Sequence, residues 1–595
     1  MAIVVAMLAA VMAACTGGGA PGGEPTATNE TGEGSAPAAD GSADPFSLEA
    51  DMKIIEDELA KVETPEYFKN TPTFEYLFEI HRVGVAEEGS FGPRWFEKKF
   101  NVKVDYVGLS VENRNEQMNL MFATGTVPDL VTVNLQQMQE YARQGLLAEI
   151  PIELVKEHMP GYSAIVEEYD PTLFEVTEVD GKNMGISRFS VTGGIPRPAA
   201  IRADWLENVG IVKVPSTLEE LEQAFLKFRN DDPDGNGKKD TYALSNPSDF
   251  APHYWFQSIF GAFGVNPFLW TERDGELRFG LTTPEAKEAL KLLNKWYEME
   301  IISPEFITAP GRSSTGDDIP TLFSKGKLGY IDHVAYDDHQ WDNDGHINFR
   351  WVSNHPEWAK FFEDYKDDPK KVYSTPLLTD FGEITPDLPK PVYLTMPPVV
   401  GPNGKSGYLR NGYSSDVLVF GKQLEDQPEK MEKLLKILEY LNQDEDAYIK
   451  MGWGPEGIQW YMKDGERIFN PEFTKHALYN NSQTKLGLHW SSTPMYFTSP
   501  DYIGAVGGPR SAQRFDLSAD KVKNFPYYEN ALKVALPSES QYSELVDTRA
   551  KEYVIKAIAG DIDVDQTFDD MVSKWYADGG DVLTREANEW YASFK

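Results

Sequence analysis

One cysteine in 595 residues excludes a framework of intrachain disulfides, so a chain of this length must be held together by core packing. With 56 Lys and Arg against 94 Asp and Glu, the formal charge is −38, which excludes the broad cationic surface that nucleic acid or an anionic membrane would require. No apolar run reaches the roughly 18 residues needed to cross a bilayer. The chain has no GxSxG elbow, Walker loop, Rossmann glycine fingerprint or CxxC pair, and no repeat of about 20–50 residues. What is present is ordinary globular material, 41% hydrophobic and long enough for roughly two to four lobes.

The single cysteine is itself informative. Cys15 follows the uncharged run MAIVVAMLAAVMAA and precedes a stretch, 16–44, without aromatics or periodicity. A short apolar segment ending in small residues reads as an export signal, and Met12-Ala13-Ala14-Cys15 resembles a bacterial lipobox, in which the cysteine is lipidated. Met12 stands where Leu is usual, and no Lys or Arg precedes the run, so the start is expected a few residues upstream. Residues 1–15 are therefore expected to be a lipoprotein signal and 16–69 a flexible linker and lead-in. About 30 linker residues would hold the folded body about 30 Å from the lipid.

The folded region opens with strand-like alternation over 73–80, a helix over 93–100, a strand over 102–107, a helix over 113–124 and a strand over 129–133. This rhythm predicts a parallel sheet with crossover helices, whose ligands bind beyond the carboxyl ends of the strands, which nominates Asn134. Further on, Ser216 or Thr217 followed by Glu219 or Glu220 caps a helix that buries Leu218, Leu221, Phe225 and Phe228. Helical spacing recurs over 285–297 and 431–442.

The sharpest chemical signal is Asp232-Pro233-Asp234-Gly235-Asn236-Gly237-Lys238-Lys239-Asp240. Calcium takes six to eight oxygens, and an EF-hand-type loop supplies them from positions 1, 3, 5, 7 and 9, with glycine at 6. Asp232, Asp234, Asn236, the Lys238 carbonyl and Asp240 fall at those positions, but position 12 is Ala243 rather than Glu. A structural calcium site is expected, completed by water or a carboxylate from elsewhere; the same residues also suit an ion-free Asx turn. A second cluster, Asp332-His333 through His346, matches no transition-metal spacing and reads as a polar surface or cleft-edge loop. Trp255, Trp270, Trp341, Trp351, Trp453, Trp460 and Trp490 lie in loop-like or short-strand contexts. Indoles there can stack on the apolar faces of sugars, although any one of them is more commonly core. Trp453, between two glycines, is the one expected to be exposed.

Taken together, MFATGTVPDLVTVN (121–134), DGKNMGISRFS (180–190), IRADWLENVGI (201–211), DPDGNGKKDTYAL (232–244), GPEGIQWYMKDG (454–465) and GGDVLTREANEWY (579–591) resemble the large bacterial extracellular solute-binding lipoproteins of the family 1, oligosaccharide-binding type, which includes alginate-binding proteins. The resemblance runs over nearly all of 70–595. It departs at Thr241, where the family's loop often has an acidic residue, and at Trp453 and Pro455, in a segment usually written Gly-Ile-Glu-Gly.

The resemblance implies an α/β, two-lobed, periplasmic-binding-protein-like fold with a ligand cleft between the lobes. It places 70–195 with 326–400 in a first lobe and 196–325 with 401–595 in a second, more helical one. The implied function is non-enzymatic capture of an oligosaccharide for the permease of an ABC importer, by a monomer held at the extracellular face through its lipid alone. The expected ligand contacts are Trp453, Glu456, Trp270, Trp255 and Asn134. An exported glycan hydrolase or lyase is the alternative, and peptide or metallophore binding a third reading.

Overall fold

The computed structural model describes residues 47–81, 89–109, 113–246, 251–308, 319–332, 393–463, 466–470, 472 and 522–594. Cys15 and residues 16–46 of the expected linker lie outside the described residues. So do Trp341, Trp351, Trp490 and all of the histidine-rich cluster after Asp332.

The expected βαβαβ opening is present. Strands β1 (Phe74–His81), β2 (Val102–Leu109) and β3 (Leu130–Val133) pair in parallel in the order β2-β1-β3, with helices Phe91–Phe100 and Arg114–Ala123 between them. Two antiparallel strands complete this sheet: Ser414–Phe420 lies against β3, and Ile186–Phe189 lies beyond it. The run Val417-Leu418-Val419-Phe420 alternates between the two faces of the sheet. Leu418 and Phe420 enter a core with Trp95, Phe100 and Leu434, while Val417 and Val419 enter another with Met118, Phe122 and Met138. Both faces are thus covered, which is why this strand reads as continuously apolar.

A third core is built around the strand Ala199–Arg202, paired antiparallel with Tyr330–Ile331 on one side and Tyr393–Met396 on the other. The helix Leu218–Asn230 packs here with Leu218, Leu221, Phe225 and Phe228 buried, and its start is closed by a reciprocal Thr217–Glu220 capping box. The α/β, two-lobed architecture is therefore present, but the segments divide differently from the expected boundaries. Residues 330–331 and 396–399, expected in the first lobe, pack with 199–306, whereas 417–451, expected in the second, pack with the first sheet. The reason is edge pairing: β3 offers an open edge that the two-faced strand Ser414–Phe420 fills, and Ala199–Arg202 takes the two short strands.

Three segments carry the chain between lobes and lie side by side. Ser190 N–H donates to the Tyr413 carbonyl at 2.8 Å, Gly412 N–H to Gly193 at 2.9 Å, Arg197 N–H to Leu409 at 2.8 Å, and Arg410 N–H to Tyr528 at 2.9 Å. At Gly193 the backbones touch, since a Cβ there would lie 2.0 Å from the Gly412 carbonyl oxygen.

Candidate functional site

The residues nominated by sequence separate into groups. Asn134 caps the helix Leu135–Arg143 at the end of β3, its side chain accepting from Gln137 N–H in a capping box. It shares a cavity of about 340 Å³ with Trp270, Phe268, Asn530, Lys533 and Glu539. Asn134 comes from the first lobe and Trp270 from the second, so this cavity brings two nominated residues together across the lobes. The same face is tied by Gln139 Nε2, which donates to the Ala535 carbonyl at 2.6 Å, and by Arg143 Nη1, which donates to that of Pro537 at 3.1 Å.

The tryptophans behave mostly as core. Trp270 and Trp255 are each only 6% exposed; Trp270 packs edge-on to Phe279, and Trp255 meets Phe268 edge-on at 5.6 Å. Both are held mainly by the second-lobe core, and Trp270 also lines the cavity it shares with Asn134. Trp453 is the last residue of the helix Glu445–Trp453 rather than part of a loop, and Gly454, at φ +75°, ends that helix. Glu456 is exposed beyond it. Asp332, expected at a polar surface, is instead buried.

Sequence reasoning missed a cluster at the crossings. The Arg197 guanidinium lies over the Tyr254 ring, 4.8 Å from its centroid. With the Asn411 amide turned so that its oxygen faces them, Asn411 accepts from Arg197 Nη2 at 3.0 Å and from the Tyr254 hydroxyl at 2.7 Å. Beside it, Arg410 sits 3.7 Å from the centroid of the half-exposed Tyr527 ring and pairs with Glu529 at 2.8 Å. Burial, aided by Arg197, pushes His253 down to about 4, so this neighbour of the cluster is neutral. The segments GGIPRP (193–198) and LRNG (409–412) carried the available signal, a glycine or proline beside a cation where the chain changes lobes.

The loop Asp232–Asp240 follows the helix Leu218–Asn230 directly. Asp232 takes a left-handed φ of +49°, and its two carboxylate oxygens accept from Asn236 N–H at 3.1 Å and Gly237 N–H at 2.9 Å. Asn236 Nδ2 lies between carboxylates, donating to Asp234 at 2.7 Å and Asp240 at 3.1 Å. That nitrogen stands where positive charge is wanted, and among the described residues no three acidic or histidine groups converge on one point. Asp234 Oδ1 is buried with no hydrogen-bond partner among the described residues. Burial, and then the adjacent Asp232, raise the Asp234 carboxyl above its usual range, whereas the Lys327 ammonium, 2.6 Å from Asp240, holds Asp240 below it. An orphaned carboxylate oxygen beside the carboxylates of Asp232 and Asp240 fits a hard cation. Thr241 and Ala243 are wholly buried, with Thr241 Oγ1 donating to the Phe228 carbonyl at 2.7 Å, so the chain leaves the loop into the core and position 12 cannot supply a ligand.

Comparison with known proteins places the chain. Residues 81–372 match the family described as bacterial extracellular solute-binding protein. The polygalacturonan/rhamnogalacturonan-binding protein YtcQ of Bacillus subtilis is 24% identical over 516 residues, spanning 84% of this chain and 87% of that protein. The structure of alginate-binding protein AlgQ2 without calcium ion superposes with a TM-score of 0.60 at 16% identity, covering 89% of this chain and all of that one (100%). The Streptococcus pneumoniae substrate-binding protein FusA, as an EF-hand mutant with fructo-nystose, gives 0.58 at 16% identity over 87% of this chain and 99% of that one. The two structural likenesses show the fold.

Proposed function

We propose that the chain is a bacterial extracellular solute-binding protein, which captures an oligosaccharide between its lobes and hands it to the permease of an ABC importer. The observation that carries this reading is the cavity of about 340 Å³ on which Asn134 of one lobe meets Trp270 of the other, beside crossings that can act as a hinge. The name of YtcQ, a polygalacturonan/rhamnogalacturonan-binding protein, together with Arg197 at the crossings, favours an acidic saccharide such as an oligogalacturonide. A guanidinium on a tyrosine ring is held flat, which fixes the directions of its N–H groups.

In this reading the protein acts as a monomer without turnover, and it stays at the cell surface through lipid on Cys15. Calcium would be held by Asp232, Asp234, Asn236, the Lys238 carbonyl and Asp240, supplying rigidity to the second lobe rather than chemistry at the cleft. Asn134, Trp270, Trp255, Trp453 and Glu456 are retained as candidate contacts. Melting the protein with trigalacturonate, kestose and maltotriose tests the reading. One of them at about 100 times its dissociation constant adds about 2.7 kcal/mol of stability, with the sugar recovered uncleaved. Appearance of new reducing ends or unsaturated products would replace binding with catalysis.

A further inference from the structure

All three crossings converge on one residue. Gln257 is wholly buried at the start of the helix Gln257–Phe263. Its Nε2 donates to the carbonyls of Arg197 at 3.1 Å and Asp332 at 2.6 Å, and its Oε1 accepts from Leu409 N–H at 2.6 Å. Its own backbone carbonyl accepts from the Tyr528 hydroxyl at 2.8 Å. Arg197, Leu409 and Tyr528 stand on the first, second and third crossing respectively. The residue before Gln257, Phe256, has φ +45°, a left-handed conformation that a bulky side chain adopts only under constraint from its surroundings.

Asp332 completes this junction. Ile331 pairs with Ala200 and Met396 with Ala199, so Asp332 lies at the edge of the second-lobe sheet where the first crossing enters it. Its Oδ1 accepts from Ser258 N–H at 3.0 Å, while Oδ2 is buried with no partner among the described residues. Among the described residues the titratable groups facing it from the packed elements are the phenols of Tyr330, Tyr408 and Tyr528, all pushed above their ordinary range by burial and therefore neutral.

We propose that Gln257 and Asp332 form a proton-dependent latch on the hinge, closed while Asp332 is neutral and loosened when it ionises. A neutral carboxyl can remain in this dry junction, but a carboxylate with an unpaired oxygen must recover water. Water reaches it by parting the Gln257–Ser258 turn from Asp332, and that releases the bonds Gln257 makes to the crossings. Burial pushes Asp332 up to about 7, so the change falls near neutral pH. In a hydrated, opened hinge the group titrates at about 3.9. Between about pH 4 and 7 the opened state gives up a proton that the closed state keeps, so opening gains about tenfold per pH unit and levels off above about 7.

The inference rests on the hinge reading of the proposed function, but its test uses no ligand. Hydrogen exchange of the full chain, corrected for the intrinsic chemical rate, would be followed from pH 5 to 8 in peptides covering 190–198, 408–413 and 526–530. The opening constant of all three should rise together, about tenfold per unit to about pH 7, while the helix Pro428–Gln443 does not follow. Asp332→Asn should abolish the rise. A flat wild-type profile, or an Asp332→Asn profile that still rises, overturns the latch. Should Asp332→Asn fail to fold, the wild-type profile decides alone. Failure of saccharide binding would remove the proposed function and leave this result standing, whereas a flat profile beside intact binding removes only the latch.

Discussion

Lys430 Nζ lies 2.9 Å from Asp129 Oδ2 inside the first lobe, where the two side chains are 10% and 5% exposed. The carboxylate also accepts from Leu77 N–H at 2.8 Å and from Gln423 Nε2 at 2.9 Å, so one group joins β1, the approach to β3 and the helix Pro428–Gln443. Asp129→Ala leaves a buried ammonium without its partner and should cost about 3–5 kcal/mol. The urea midpoint should fall accordingly, and Lys430→Met in the Asp129→Ala background should recover part of the loss. An unchanged midpoint would show that water already serves both charges.

The loop Asp232–Asp240 yields a second prediction. If calcium binds only the folded loop, chelation should lower the melting temperature of wild type, and Asp234→Ala should abolish that response. The Asp234 carboxyl is raised by burial and by Asp232, so acid competes with the metal and calcium affinity should fall as pH drops toward its titration range. Calcium titrations at pH 7 and pH 5 would show the difference; equal affinities would contradict this assignment of the charges.

The opening of the first sheet, the capped helix Leu218–Asn230 and the acidic loop were legible because each is written within a short window: a period of two, a period of 3.6, or fixed ligand spacing. Lobe membership was not legible. Local alternation identifies Val417 to Phe420 as a strand but does not say that it pairs with β3, far earlier in sequence, rather than with Ala199–Arg202. The fate of the tryptophans was hidden for the same reason. Trp255 reads as a loop residue, and its burial is made by Phe268 and the surrounding second-lobe core, which sequence spacing does not encode. The cluster Arg197–Tyr254–Asn411 draws on three distant segments and is assembled only by the crossings.

Gly193 makes those crossings testable. Since a Cβ there would meet the Gly412 carbonyl at 2.0 Å, Gly193→Ala must push two backbones apart. The variant should melt below wild type, and its small-angle scattering should show a changed separation of the lobes. A variant with wild-type melting and scattering would mean that this contact has no part in the hinge.

Cys15 makes the anchoring testable. Cys15→Ala should move the protein from the membrane fraction to the medium without altering its melting temperature, because about 30 linker residues separate Cys15 in sequence from the folded region. Retention of the variant on membranes would show that something other than lipid on Cys15 holds it there.

The proposed acidic ligand is testable at Arg197. Arg197 is held flat by the Tyr254 ring and by Asn411, so its N–H groups are oriented before any ligand arrives, and orientation prepaid in this way is what makes a guanidinium selective for a carboxylate. Arg197→Ala should weaken trigalacturonate binding by about 1.5–3 kcal/mol, the scale of a charged hydrogen bond, while changing the affinity for any neutral trisaccharide far less. Arg197→Lys keeps the charge but loses the fork, and should fall between the two. Calorimetry on all three proteins, with a urea melt of each to separate lost binding from lost folding, gives the answer. Equal losses for acidic and neutral sugars would reduce Arg197 to a support for Tyr254, and the specificity for an acidic ligand would then have to lie elsewhere in the cleft.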